Sequence, residues 1–236
     1  MRRRPLGEAD EIVTCLSPEQ GKLDAVAKGS RRSQSRLVGL LEPFTYLHAQ
    51  LARGKTLDPI TQARPVKTFP ALRADLERLA YGSYLLELWS SCLPFREPAP
   101  RAFSLLVQGL DALDRGWSPT LLCRWLELHL LDELGYGPDF SECLSCGHSV
   151  RQGWFSPAAG QIACRDCGPS APGALPVSPR AVSAFRHLRR MALGELQGRA
   201  PTSELAAELQ GLLRAHLSHH WPHSLRSLKV LESLAG

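Results

Sequence analysis

Residues 141–168, SECLSCGHSVRQGWFSPAAGQIACRDCG, contain two Cys-x-x-Cys pairs, Cys143 with Cys146 and Cys164 with Cys167, separated by seventeen residues. A glycine follows each pair directly, Gly147 and Gly168. A tetrahedral zinc site built only from cysteine needs four sulfurs about 2.3 Å from one ion. A two-residue gap lets each pair close into a tight turn with both sulfurs inward, and glycine tolerates the positive φ such turns often need. The spacing is that of a four-cysteine zinc module. Trp154 and Phe155, the turn SPAAG and then QIA predict a short hairpin that delivers the second pair. A redox dithiol is the alternative, but one Cys-x-x-Cys is common and two at this distance are not. All four positions are filled by sulfur, so none stays open for a substrate. The expected cofactor is therefore one structural Zn2+ per chain.

Composition bounds the rest. A chain of 236 residues with 44% hydrophobic content buries a sizeable core and fits one or two domains. Seven cysteines, an odd number with four in metal spacing, argue for a reducing cytosol. Cys15, Cys92 and Cys123 sit alone in apolar surroundings and read as small buried hydrophobes, not nucleophiles. The start, MRRRPLGEADE, is basic with no apolar segment behind it and does not read as a signal peptide. No apolar run approaches the length of a bilayer span, so no membrane association is expected. The net charge of +5 permits a nucleic-acid partner without demanding one.

Working outward, the fold class is α+β. EIVTCLS alternates apolar and polar, PEQG supplies a turn, and KLDAVAK follows, which is the pattern of a β-hairpin. GSRRSQSR reads as an exposed loop, and PFTYLHAQLA and TLDPITQAR flank a turn at Arg53 to Lys55. Short strands at this spacing predict a small barrel or curled sheet over residues 1–69. From Pro70 the apolar period becomes helical, and residues 70–236 read as a helical domain with the zinc module at about 140–170. ALRADLERLAYGSYLLELWSSCL reads as one helix, ended by PFREPAP. Ser118–Pro119 and Ser178–Pro179 are helix starts, with serine as cap and proline at the first position.

Lys22, Lys28, Arg31, Arg32 and Arg36 face a single acid, Asp24, across the second strand and the loop leaving it. Such a loop reads either as a solvated charge run or as a phosphate-contacting surface, and its place on a small barrel favours the second. Before residue 65 the only aromatics are Phe44 and Tyr46, so contacts are expected to be phosphates with little sequence selectivity. Arg186, Arg189 and Arg190 form a second cluster that could extend a DNA path. RGKT at Arg53 to Thr56 is not a phosphate-binding loop, because the leading glycine of that motif is replaced by Ala49. His216, His219, His220 and His223 have metal-like spacing but continue a leucine stripe, so they read as partly buried histidines near a helix end. With no open metal site, a nuclease or hydrolase is disfavoured.

The run GEADEIVTCLSPEQGKLDAVAKGSRRSQSRLVGLLEPFTYLHAQLARGKTLDPITQA, then YLLEL and ELHLLDELGYGPDFSECLSCG, resembles the RecO family of bacterial recombination mediators. The resemblance implies an N-terminal OB-fold β-barrel followed by an all-helical domain with an inserted four-cysteine zinc finger. It implies a non-enzymatic, cytoplasmic and nucleoid-associated DNA-repair protein that binds single- and double-stranded DNA and anneals complementary strands. It also implies loading of recombinase, RecA, onto strands coated by single-strand-binding protein (SSB), in company with RecR. The alternative is a zinc-stabilised docking adaptor without a direct DNA role. Members of the family open with a further strand before the part matching RRRPLGEAD. Four strands are therefore counted where an OB barrel has five, through either a misplaced start codon or an incomplete barrel.

Overall fold

The computed structural model describes residues 2–235 except 33, 34, 36, 38, 170, 171 and 222–224. Arg2–Leu6 (β1) runs antiparallel to Asp10–Ser17 (β2), with Arg2 opposite Thr14 and Leu6 opposite Asp10. This corrects the expected count, since a first strand is present among the described residues. RRRPL carries no alternation, but Gly7 at φ +64° turns the chain straight into β2. Arg3 is then gripped by Glu11, and Arg4 by Asp24 on the next strand. Pro5 lacks an N–H, which a strand paired on one side tolerates.

β2 turns into Gly21–Ala27 (β3), with Ser17 opposite Gly21. Gly21 has φ +62°, and a Cβ there would lie 1.7 Å from the Glu97 carbonyl oxygen, so only glycine fits. Thr45–Leu51 (β4) pairs antiparallel with Asp58–Thr68 (β5), with register shifts at Tyr46/Leu47 and Gln50/Leu51. β5 joins β3 in parallel at Ala25 and Val26, giving the order β1-β2-β3-β5-β4. The bulges curl the sheet as a small barrel requires. No β1–β4 pairing closes it among the described residues, so this is an open OB-type sheet. Val13, Leu23, Ala25, Ala27 and Ile60 of the strands form its core with Leu41 of the segment between β3 and β4.

The helix expected from Ala71 to Leu93 is two, Pro70–Ala74 (α1) and Leu76–Cys92 (α2). Asp75 is extended at φ −111° and its carboxylate accepts from the Arg78 N–H at 2.9 Å, which starts a new helix in mid-stripe. The proline-rich stretch after α2 does more than end it. Arg96 N–H donates to the Lys22 carbonyl, and Ala99 N–H to that of Pro18, so the segment lies along the start of β3. Pro100–Asp114 (α3) follows.

Contacts divide the chain into two compact units, Met1–Gly116 with Leu225–Gly236, and Trp117–Ser224. In the first, Arg226–Ala235 (α7) packs on α2. Glu87 of α2 accepts from Arg226 N–H at 3.0 Å, from Ser227 N–H at 2.8 Å and from the Ser227 hydroxyl.

The second unit is built around Pro119–Glu133 (α4), buried on nearly every side, including the ion pair Arg124–Glu127. Pro119 holds the first position of α4, while Ser118 makes no side-chain cap. Asp139–Cys143 (β6), Gly153–Ser156 (β7), Gln161–Cys164 (β8) and Leu175–Val177 (β9) form a four-stranded sheet in the order β6-β8-β7-β9. The expected hairpin is β7–β8, with Phe155 opposite Ile162. Pro179–Arg190 (α5), whose Ser178 cap accepts from the Ala181 N–H, and Ser203–His220 (α6) complete the unit.

Glu87 should control whether α7 stays docked. Burial works against its charge, but hydrogen bonds from Ser227 and Arg226 prevail and hold its carboxyl below the usual range. A lowered folded value means stability that is present above the ordinary carboxylate range and is lost as pH falls through the folded value. Glu87→Ala should cost about 1–2 kcal/mol. Hydrogen exchange should show the loss concentrated in α7, and acidification of the wild type should reproduce it. Unchanged α7 protection in the variant would refute this account of its docking.

Candidate metal centre and nucleic-acid interface

Two knuckles of the same construction make the cysteine cluster. Gly147 N–H donates to the Cys143 carbonyl at 2.9 Å, and Gly168 N–H to that of Cys164 at 3.1 Å. Both glycines have positive φ, +72° and +69°, which lets each turn close over its two sulfurs. β6 pairs in parallel with β8 at Cys143 and Ile162, so the first knuckle arrives beside the second. The four sulfurs lie within 4.8 Å of one another, with Cys146 and Cys164 at 3.9 Å. A tetrahedron with metal–sulfur bonds of about 2.3 Å has edges of about 3.8 Å. The cluster therefore fits one tetrahedral metal ion.

Its electrostatics agree. The Cys164 N–H, 3.1 Å from the Cys143 sulfur, and the Cys146 N–H bring the Cys143 thiol down to about 6. Cys167 faces Cys164, Cys146 and Cys143, and these neighbours push its thiol up to about 12. One thiolate forms readily and the last is resisted by sulfurs already there, so a full set needs a bound cation.

The module is pinned to the helices around it. Arg186 of α5 donates to the carbonyls of Phe140, Ser141 and Val150 at 2.6–3.0 Å. The Phe140 ring stacks on Phe185 at 4.2 Å and on Phe155 at 4.9 Å. Arg189 binds Asp132 and the Pro138 carbonyl. Two members of the expected second basic cluster thus hold structure, and Arg190 is exposed with no hydrogen-bond or ion-pair partner among the described residues. His216, buried inside α6, sets its ring nitrogens 2.8 Å from the carbonyls of Pro157 and Tyr136. His220 lies beside it, partly buried, and His223 lies outside the described residues.

The basic residues of the first unit separate into two groups. Lys22 is removed from the expected DNA contacts. It is only 8% exposed, its amine donates to the Ser90 carbonyl at 2.5 Å, and it sits 4.5 Å from the Phe95 ring. Its position on β3 turns it inward onto the segment that crosses there. Lys28, Arg31 and Arg32 are exposed on the turn after β3, and Arg36 lies outside the described residues.

That turn is braced from below. Gly29 N–H donates to Asp10 at 2.8 Å, and the Ser30 hydroxyl to Glu11 at 2.9 Å. Arg31 N–H and guanidinium reach the carbonyls of Ala9 and Gly7. Arg3, then Ser30, hold the Glu11 carboxyl below its usual range, so the brace is anionic while the tips above it are cationic. Arg53 and Lys55, on the turn between β4 and β5, are exposed as well. In the sequence RGK reads as a turn and RGKT fails the pattern of a phosphate-binding loop, so neither cation is singled out there. The signal was a pair of cations at a loop tip of an OB-type sheet, where ligands commonly bind.

Known proteins similar to this chain share one family name. The family model described as Recombination protein O N terminal matches residues 1–69, and the one described as Recombination protein O C terminal matches residues 73–229. A protein of Roseiflexus sp. (strain RS-1) named DNA repair protein RecO is 40% identical over 99% of this chain and 83% of its own length. Proteins of the same name from Symbiobacterium thermophilum and Dehalococcoides mccartyi are 35% and 32% identical, over 94% and 93% of their lengths and 99% and 100% of this chain.

Protein purified without chelators should carry about one metal ion per chain by elemental analysis. Cys143→Ser should release it and cost several kcal/mol, because structural metal binding is itself folding free energy. A metal-free wild type with an undiminished melting temperature would refute the site.

Proposed function

The chain belongs to the recombination protein O family and is a DNA repair protein of that family; we propose that it acts as a recombination mediator that performs no covalent chemistry. In this reading it binds single- and double-stranded DNA through the strand region, residues 1–69, and anneals complementary strands. The helical region, residues 70–236, and its module carry one structural Zn2+ on Cys143, Cys146, Cys164 and Cys167. The protein works in the cytoplasm at the nucleoid with RecR and SSB, and helps RecA onto SSB-coated strands.

The observation that carries the DNA reading is the braced turn. Lys28, Arg31 and Arg32 stand on a backbone fixed by Asp10 and Glu11. A fixed turn with cationic tips and small side chains lets phosphates approach closely, and it positions a strand without reading its bases. Rate acceleration then needs only charge. A surface that screens phosphate repulsion between two strands raises their encounter rate. The sulfur-only ligand set supports zinc in particular and a structural role for it.

Binding of single-stranded DNA measured across salt should give a log–log slope of roughly −0.7 per phosphate contact. Arg31→Ala with Arg32→Ala should flatten that slope by about 1 to 1.5. Annealing by the wild type should proceed without ATP and weaken with salt in step with binding, and the double variant should lose it. A wild type that neither binds nor anneals DNA would favour the zinc-stabilised docking adaptor instead, and full annealing by the double variant would overturn the part given to Arg31 and Arg32.

A further inference from the structure

The segment that links α2 to α3 is seated firmly against the start of β3, yet it leaves its one ring in solvent. Arg96 N–H donates to the Lys22 carbonyl at 2.8 Å, Ala99 N–H to that of Pro18 at 3.2 Å, and Phe95 forms a parallel bridge beside Lys22. The Glu97 carbonyl fills the space that a side chain at Gly21 would need. Arg96 has φ +59°, a left-handed conformation that a Cβ resists, and such outliers gather at ligand sites. Phe95 stays 56% exposed on this fixed backbone. The Lys22 amine lies over the ring, 4.5 Å from its centroid, so the exposure belongs to the opposite face and the rim. Arg96 also ties the segment to the β4–β5 turn. Its guanidinium donates to one Asp58 oxygen at 2.9 Å, and the other oxygen accepts from the Gly54 N–H at 3.0 Å. Gly54 stands between Arg53 and Lys55, both exposed, so one carboxylate brings the ring's segment and two cations together.

We propose that Phe95, Arg53 and Lys55 bind single-stranded DNA together, an unpaired base on the open face of the ring and neighbouring phosphates on the two cations. Order along β3 selects this occupant. Phe95 pairs beside Lys22, Asp58 at the foot of the cationic turn lies opposite Ala25, and Lys28 follows the end of the strand. At about 3.3 Å per residue, ring, first cations and last cation spread over about 20 Å. A polymer that repeats a charge and a ring along its length meets all three at once. A duplex offers phosphates but keeps its base faces in the stack, so the ring favours a single strand. An apolar partner would take water from Arg53 and Lys55 and return no counter-charge. Every base has a π-face, so the contact does not depend on sequence. Arg96 is neutralised by Asp58 and positions the segment; it is not itself a phosphate contact. The backbone is fixed before binding, so little ordering cost is left.

The inference rests on the DNA-binding reading, and its test keeps the two apart. Affinity for a single-stranded oligonucleotide, a fully abasic strand of equal length and the matching duplex should be measured in the wild type, Phe95→Ala, Phe95→Tyr and the pair Arg53→Ala with Lys55→Ala. Melting temperatures check that each variant is folded. Phe95→Ala should weaken binding of the normal strand about 5- to 150-fold and leave the abasic strand and the duplex unchanged. Phe95→Tyr should keep most of the affinity. The double variant should weaken the normal and abasic strands alike and flatten the single-strand salt slope by about 1.4. Unchanged binding by Phe95→Ala, equal losses on normal and abasic strands, or an unaltered slope in the double variant would overturn the site while leaving the DNA reading intact. A poly-aspartate peptide whose binding needs Phe95, with strand affinity indifferent to that residue, would overturn it too and assign the surface to an acidic protein partner. A wild type that binds no strand would overturn both.

Discussion

A buried carbonyl oxygen must find a donor, and in this protein long side chains meet that demand. Much of the chain is irregular: the knuckles, the crossing after α2, the bulged strands. Such backbone cannot satisfy itself as a helix or ladder does. Arg186 serves three carbonyls around the metal module, Lys22 serves Ser90 and Arg73 serves Pro43 and Phe44, while the His216 ring lies between two more. Trp89 and Trp125 do the same for Ala102 and Met191. Where the acceptor is buried, losing its donor strands a polar group away from water at a cost of about 1–3 kcal/mol.

That constraint decides which cations remain for DNA. Counting arginines and lysines along the sequence treats them alike, although Lys22 and Arg186 differ from Arg32 in everything except charge. Among the exposed cations are Lys28, Arg32, Arg53 and Lys55 at turn tips, where acids hold the turn backbone beneath them. Charge on the surface and charge inside thus have separate tasks, a division that the modest net charge of +5 does not display.

Legibility followed the same division. Cys143, Cys146, Cys164 and Cys167 were readable because metal geometry fixes spacing along the chain, and the β7–β8 hairpin because its turn and its rings are local. The strands with core alternation, Val13 with Cys15 and Leu23 with Ala25, announced themselves by period. β1 did not: RRRPL is stabilised by Glu11, Asp24 and its partner strand, none of which a local pattern displays. The break at Asp75 was hidden inside a continuous apolar stripe, where one carboxylate sets the start of a helix. The inward turn of Lys22 depends on a segment seventy residues downstream. Tyr136 at the end of α4 meets His220 and Trp221 at the end of α6, and nothing short of the fold brings those together.

The first compact unit is interrupted: its strands and first helices are made before residue 117 and its last helix only after residue 224. The unit between is continuous in sequence. On the ribosome, then, the later-starting piece has its whole core in hand first, while the earlier one waits with the α2 surface bare. Glu87 spends that interval without Ser227. Chaperone demand during synthesis should fall on the face of α2 that α7 will cover, and the order of completion runs opposite to the order of translation.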